Sequence, residues 1–234
     1  AWIAGLASHI CADRAFHPLV FWATGDYHHP DPALRSAAVQ RHRALEALLD
    51  LLFLGGKDGP DAALERTQSL SLSRTLRGAE APLAEIFRLG CLTVPAQVPP
   101  DTADACQGRA WRIFSGFQLA GRMLPLSRLL FALRGVLPRG LRELTALHYI
   151  PAMTRQLGAL DRTLDYCDPV SGEARSHAPQ ELFAQAAADC VALLRSIEGA
   201  VFRGEPWTLP PGGPLDGGTA GTLGHFADPP LIRF

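Results

Sequence analysis

Trp2-Ile3-Ala4-Gly5-Leu6-Ala7-Ser8-His9-Ile10-Cys11-Ala12-Asp13-Arg14-Ala15-Phe16-His17-Pro18-Leu19-Val20-Phe21-Trp22-Ala23-Thr24 is apolar around most of a helical circumference and stops at Gly25. A buried helix is the expectation. Asp26-Tyr27-His28-His29-Pro30-Asp31-Pro32 follows, a loop dense in turn formers. Asp31 is placed to cap a second helix with Pro32 in its first turn, and Leu34, Ala37, Ala38, Leu45, Leu48, Leu49 and Leu52 give that helix an apolar stripe as far as Gly55-Gly56. Weaker helical patterns cover Ala62 to Arg77 and Pro82 to Leu92, with a Pro-rich connection from Thr93 to Pro100. Helical spacing returns over Asp101 to Met123, Ser127 to Val136 and Leu141 to Leu164. Asp168-Pro169-Val170-Ser171-Gly172 reads as a turn, after which Ser176 and Pro179 introduce a helix running through Ala200. The Val, Ile and Thr alternation of strands is nearly absent and no internal repeat is detectable, so the expected class is all-α. Residues 1–204 would form one helical domain and residues 205–234 a Gly/Pro-rich tail.

With 234 residues, 47% hydrophobic and 19% charged, the chain is long enough for one ordinary globular domain and too apolar to be disordered. Its 22 Lys+Arg balance 23 Asp+Glu, so there is no basic excess to drive sequence-independent nucleic-acid binding. The longest apolar candidate, Met123 to Leu137, is broken by Pro125, Arg128 and Arg134 and falls short of the roughly 18 residues that cross a bilayer. Cys11, Cys91, Cys106, Cys167 and Cys190 are odd in number, widely spaced and without a Cys-x-x-Cys, which fits small buried side chains better than a disulfide framework or a thiolate zinc site. Lys57 is the single lysine in an Ala-, Leu- and Arg-rich background, a composition associated with GC-rich bacterial genomes. Ala1 is not an initiator methionine and the first helix starts without a cap, so a fragment, a processed product or a truncated gene model is expected, and location, whether secreted or cytoplasmic, is left open.

The chemistry lies in the two leading helices. His9, Asp13 and His17 are spaced by four, which sets each about 40° further round one stripe and about 6 Å along the axis. His42 and Glu46 repeat that spacing in the second helix. Zinc takes imidazole nitrogen and carboxylate oxygen at about 2.0 to 2.2 Å, and two packed helices can present such ligands from rigid elements. His17, His42 and Glu46 would make a three-ligand site with one position open to water, leaving His9 and Asp13 for another metal. A lone His-x-x-x-Glu is more often a solvated pair. Here, though, a carboxylate and two imidazoles sit among Ile3, Leu6, Ile10, Phe16, Val20 and Phe21, an expensive burial that a metal would offset. His28 and His29 are second-choice ligands. His148, His177 and His225 lack spaced partners and read as structural or surface residues. Ser8 and His9 are sequence neighbours on different helix faces, unsuited to a nucleophile–base pair.

The run Gly5 to Pro18, with its order His9, Asp13, His17-Pro18, followed by His42-Arg43-Ala44-Leu45-Glu46 and Asp50, resembles the zinc-dependent phospholipase C family, which includes the amino-terminal domain of glycosylphosphatidylinositol-specific phospholipase D. Weaker similarity to bacterial members appears at Asp168 to Glu173 and at Ser176 through Phe183. The strong match covers about the first 50 residues. The secreted bacterial phospholipases place their second histidine six residues after the aspartate, whereas His17 follows Asp13 by four. The resemblance implies a multi-helix bundle of the zinc phospholipase C and single-strand nuclease type, missing its first helices, with up to three zinc ions. It also implies that His9 binds one zinc, that Asp13 bridges two, and that His17, His42 and Glu46 hold the third. Further ligands and the general base would come from helices upstream of this chain.

The expected function is therefore zinc-dependent hydrolysis of a phosphodiester, with a phospholipid as the substrate the resemblance implies. Phe16, Phe21, Trp22 and Tyr27 could touch a lipid, although aromatics on a buried helix are more often core. A single-strand nuclease of the related zinc fold is the enzymatic alternative and needs base-stacking aromatics beside the phosphate site. The non-catalytic alternative is a helical domain in which the His/Asp/Glu stripes hold a structural metal or close into a buried polar network.

Overall fold

The computed structural model describes residues 2–55, 129–146, 155–206 and 221–232, together with the single positions 85 and 109. The helical candidates between Ala62 and Met123 and the Pro-rich connection at Thr93 to Pro100 lie outside the described residues apart from those two positions, as does His148. Helix α1 spans Trp2–Thr24 and α2 spans Pro32–Gly55. Asp31 caps α2 as its sequence predicts, its Oδ1 accepting the N–H of Ala33 at 2.7 Å and of Leu34 at 3.4 Å. The expected stripe of α2 is buried from Ala38 to Leu49, whereas Leu34, in the first turn, stays 55% exposed.

Helix α1 has almost no hydrophobic sidedness and is covered on several sides at once. It packs most extensively on α5 (Pro179–Arg203), and also on α2 and on the strand β1 (Leu164–Cys167). Phe16, Leu19, Val20 and Ala23 of α1 meet Ala44, Leu45 and Leu48 of α2, Leu164 and Tyr166 of β1, Leu182 of α5 and Ile232 in one core. Each fully buried leucine there contributes about 2 kcal/mol of transfer free energy. Among the described residues two short helices follow, α3 (Arg139–Thr145) against α2 and α4 (Leu157–Leu160) also against α2.

The carboxyl end of α1 shows why the last segment returns to the core. A helix leaves its final four carbonyls without intrahelical donors. Here Phe21 O accepts Gly25 N–H at 3.1 Å, Trp22 O accepts Ala227 N–H at 2.8 Å and Ala23 O accepts Leu231 N–H at 2.8 Å. Thr24 O accepts the Arg41 Nε–H at 2.7 Å. Residues 221–232, expected as part of a Gly/Pro-rich tail, thus complete α1, and Ile232 is 2% exposed.

The mostly helical architecture is consistent with the all-α expectation, with one local exception. The pattern taken for a helix from Leu141 to Leu164 is helical only in α3 and α4 among its described residues, and Leu164 opens a two-stranded antiparallel hairpin with β2 (Ala174–His177). Its register pairs Leu164 with His177 and Cys167 with Ala174, so Ser176, expected to introduce a helix, lies in a strand. Two residues per strand facing the core are too few for a visible alternation: only Leu164 and Tyr166 are buried. The pattern from Ser127 to Val136 likewise is helical over 129–132 and tightens into turns, with Arg134 N–H on Phe131 O at 3.1 Å, before Pro138. Helix α5 begins at Pro179 as expected, with Glu181 accepting the Ala178 N–H at 2.7 Å, and runs past Ala200 to Gly204, whose φ of 67° ends it.

The hairpin turn is the Asp168–Gly172 segment, built around a carboxylate with no solvent exposure. Asp168 Oδ1 accepts the N–H of Val170 and Ser171, both at 2.9 Å, and Oδ2 meets Arg175 Nη2 at 2.7 Å. Burial pushes this carboxyl up, but the two N–H groups and the guanidinium hold it below its usual range. Gly172 closes the turn at φ 74°, with the His225 ring 3.0 Å from where a Cβ would stand. Asp168→Ala is expected to destabilise the fold by about 3 kcal/mol, since it strands a partly buried arginine and two amides; urea denaturation of wild type and variant measures it.

Candidate metal centre

Because α1 and α2 are rigid and packed together, their i,i+4 stripes meet side by side. On α1, His9 Nε2 lies 3.4 Å from Asp13 Oδ2, and His17 Nε2 lies 3.7 Å from Asp13 Oδ1. Across the helix pair, Glu46 Oε1 lies 3.7 Å from His17 Nε2 and 3.2 Å from His42 Nε2. The five residues singled out from the sequence therefore form one alternating string, His9, Asp13, His17, Glu46, His42. They do not converge equally. Only His17, His42 and Glu46 bring one ligand atom each within 4.8 Å of one another. His9 stands at the end of the string with its side chain 70% exposed, while those of Asp13, His17 and His42 are at most 14% exposed.

The triad is held from behind by aromatic rings. His42 packs edge-on to Phe21 at 4.8 Å, Tyr27 at 5.1 Å and His17 at 5.3 Å between centroids. Phe21 and Tyr27, considered from sequence as lipid contacts or core, thus brace His42, and Phe21 is 3% exposed. The His42 Nδ1 is buried without a hydrogen-bond partner, an uncompensated cost for a group whose other nitrogen faces Glu46. Burial alone would raise the Glu46 carboxyl, yet hydrogen bonds from His17 and His42 and their charges hold it at about 2. It is consequently ionised, the state in which a carboxylate binds a cation.

Beside the string lies a cavity of about 460 Å³. His9, Asp13, His17, Glu46 and Asp50 line it together with the apolar side chains of Phe16, Val20, Leu49, Phe53 and Phe183. Phe53 of α2 and Phe183 of α5 stack at 4.7 Å between centroids. Phe53 follows Glu46 by seven residues and so shares its helix face, a signal readable in the sequence and not used. Phe183 lies in a distant helix, and only folding brings it here. Among the described residues, the loop histidines do not join the cluster: His28 stacks near Phe21, and His29 Nδ1 accepts the Asp31 N–H at 3.0 Å. His177 pairs with the Tyr166 hydroxyl at 3.1 Å and His225 covers Gly172, structural positions as expected. Ser8 donates to the Gly5 carbonyl at 2.8 Å, not to His9. Trp22 packs at 6.2 Å from Tyr166, on the core side.

No family model, curated protein or solved structure matches this chain.

A carboxylate whose folded pKa is depressed from the ordinary 4.5 to about 2 stabilises the fold fully above about pH 4.5 and loses that contribution as pH falls toward 2. With 41% of the Glu46 side chain exposed, solvent screening keeps the effect modest. In metal-free buffer, the drop in urea midpoint between about pH 5 and about pH 3 is expected to be shallower in Glu46→Gln than in wild type.

Proposed function

We propose that this chain carries a zinc-dependent phosphodiester hydrolase site, with His17, His42 and Glu46 as the metal ligands and a phospholipid as the substrate class. The observation that carries the reading is the two-imidazole, one-carboxylate triad, of which His17 and Glu46 also line a cavity shared with apolar side chains. The donor set fits zinc. Ligand atoms in a tetrahedral zinc site stand about 3.3 Å apart, from bond lengths of about 2.0 to 2.1 Å. The contacts of Glu46 Oε1 with the two histidines, 3.2 and 3.7 Å, bracket that separation. Three protein ligands leave one position for water or substrate, as catalytic zinc requires.

Zinc bound there supplies water activation and neutralises charge on the phosphodiester oxygens. The remaining work falls to the chain. Asp13, between the imidazoles of His9 and His17, orients both. Asp13 and Asp50 are the carboxylates on the cavity wall outside the triad among the described residues, placed to take the proton from the attacking water. His9, exposed at the end of the string and 3.4 Å from Asp13, can return a proton to the leaving alcohol. Phe16, Val20, Leu49, Phe53 and Phe183 offer an apolar surface to the diacylglycerol side of a phospholipid and exclude water from it. The same resemblance that prompts this reading assigns His9 and Asp13 to further zinc ions, and their 3.4 Å separation accommodates that role as well.

A second reading has its own support, since each carboxylate of the string already faces two imidazoles: the network could close on itself without metal or activity. Elemental mass spectrometry of protein purified without added metal or a histidine tag separates the two. At least one zinc per chain is expected, and His42→Ala should lose it. Hydrolysis of a short-chain phospholipid should fall by more than about 100-fold in that variant, beyond what outer-shell changes cost. Metal-free wild type, or zinc unchanged in His42→Ala, would sink the ligand assignment; a single-stranded oligonucleotide cleaved in preference to the phospholipid would move the substrate class to nucleic acid.

A further inference from the structure

The apolar run from Met123 to Leu137 is interrupted by arginine and too short to cross a bilayer, and the zinc site makes no use of it. Its charge is one-sided. From residue 105 to residue 142 the sequence holds seven arginines and no aspartate or glutamate, although the whole chain balances at -1. The described part, residues 129–142, folds as one turn of helix, a tightened turn and the start of α3, and it exposes apolar side chains among its arginines. Leu129, Leu133, Val136 and Leu141 are 55%, 45%, 81% and 53% exposed. Gly135 and Gly140 stand between them in sequence, and a Cβ built on either meets nothing within 4 Å, so among the described residues nothing covers the backbone there. Three arginines are held within the segment. Arg134 lies over the Phe131 ring at 3.9 Å, Arg142 Nη2 donates to the Leu137 carbonyl at 3.2 Å, and Arg139 pairs with Glu143 at 2.8 Å. With Arg134, Arg139 and Arg142 against Glu143, residues 129–143 carry a net charge of +2.

We propose that residues 129–142 form a docking surface for an anionic lipid bilayer, on which the chain lies without spanning it. Exposed apolar side chains enter the boundary between headgroups and acyl chains, while guanidinium groups stay at the level of the lipid phosphates. A bilayer fits this surface better than a protein groove does. The apolar side chains are interleaved with arginine around a turn and form no continuous helical stripe, and the excess charge is of the sign that an anionic leaflet attracts. Among the described residues no helix is long and apolar enough to cross a membrane. The surface uses none of His9, Asp13, His17, His42 or Glu46, so it stands apart from the zinc reading, although a lipid surface is where a phospholipid hydrolase meets its substrate.

The test is co-sedimentation of the native full chain with vesicles of phosphatidylcholine, alone or mixed with phosphatidylglycerol. Bound protein is read and not product, so a catalytically inactive chain gives the same answer. Binding to the mixed vesicles is expected, weakening as salt rises, with little on phosphatidylcholine alone. Val136→Asp should weaken it by about 10-fold or more, through loss of the inserted side chain. Arg139→Gln should weaken it about 5-fold, the factor for one basic residue at an anionic surface. Phe202→Asp, at a side chain also 81% exposed but at the end of α5, should bind as the wild type does. Thermal midpoints equal to that of the wild type separate lost docking from lost folding, and should Val136→Asp fold poorly, Arg139→Gln still decides. Equal binding to both vesicles, binding to neither, or loss in Phe202→Asp with none in Val136→Asp would each overturn the proposal. A wild-type dimer that Val136→Asp dissolves, without vesicle binding, would assign the surface to a second copy of the chain instead.

Discussion

Helix α1 has little hydrophobic sidedness, and its carboxyl-terminal half, from Phe16 to Thr24, is packed on several sides. Its burial dictates where everything else goes: α5 and α2 against it, β1 against its carboxyl-terminal half, and Ile232 into the gap left between them. Covering the side chains is only part of the constraint. The last four carbonyls are equally buried and need donors, and they take one from the loop at Gly25, two from residues 227 and 231, and one from Arg41. Through those few bonds the extreme ends of the described chain become one unit. Pro18, inside α1, removes a further N–H that would pair with the carbonyl of residue 14, a local cost of about 3 kcal/mol that tertiary packing has to offset.

Against that background, His9 is mostly exposed, whereas Asp13 and His17 are polar groups largely buried on α1. Polar groups in such a position cost several kcal/mol unless partnered. His9 and His17 face Asp13 on their own helix and His17 reaches Glu46 of α2, so the polar string crosses the seam between the two helices, with the apolar seam of Phe16, Leu19, Leu45 and Leu48 beside it. The rings of Phe21 and Tyr27 limit the rotation of His42, and the ionised Glu46 is held by both imidazoles. Such preorganisation is what a metal site and a polar core both require.

Helix α5 supplies Phe183 to the cavity, while Leu182 and Ala186 of the same helix are buried. Any sliding of α5 along α1 would move Phe183 relative to the polar string. The Asp168 turn, which launches β2 and then α5, therefore bears on the site from a distance, since it sets where α5 begins.

Both leading helices and their capping were legible in the sequence because period and caps are local: the circumference of Trp2 to Thr24, Asp31 before Pro32, and four-residue spacing of ligand-type side chains are all written within one or two turns. The grouping of His17 with His42 and Glu46 was legible for the same reason, needing only that the two helices pack. The hairpin was not, because two four-residue strands carry too few alternations to outweigh a helical pattern. The return of residues 227–232 onto α1, the arrival of Phe183 in the cavity that Glu46 also lines, and the separation of exposed His9 from the converged triad were decided by tertiary structure alone. Each joins residues far apart in sequence or depends on which face a neighbour covers, and no local periodicity encodes that.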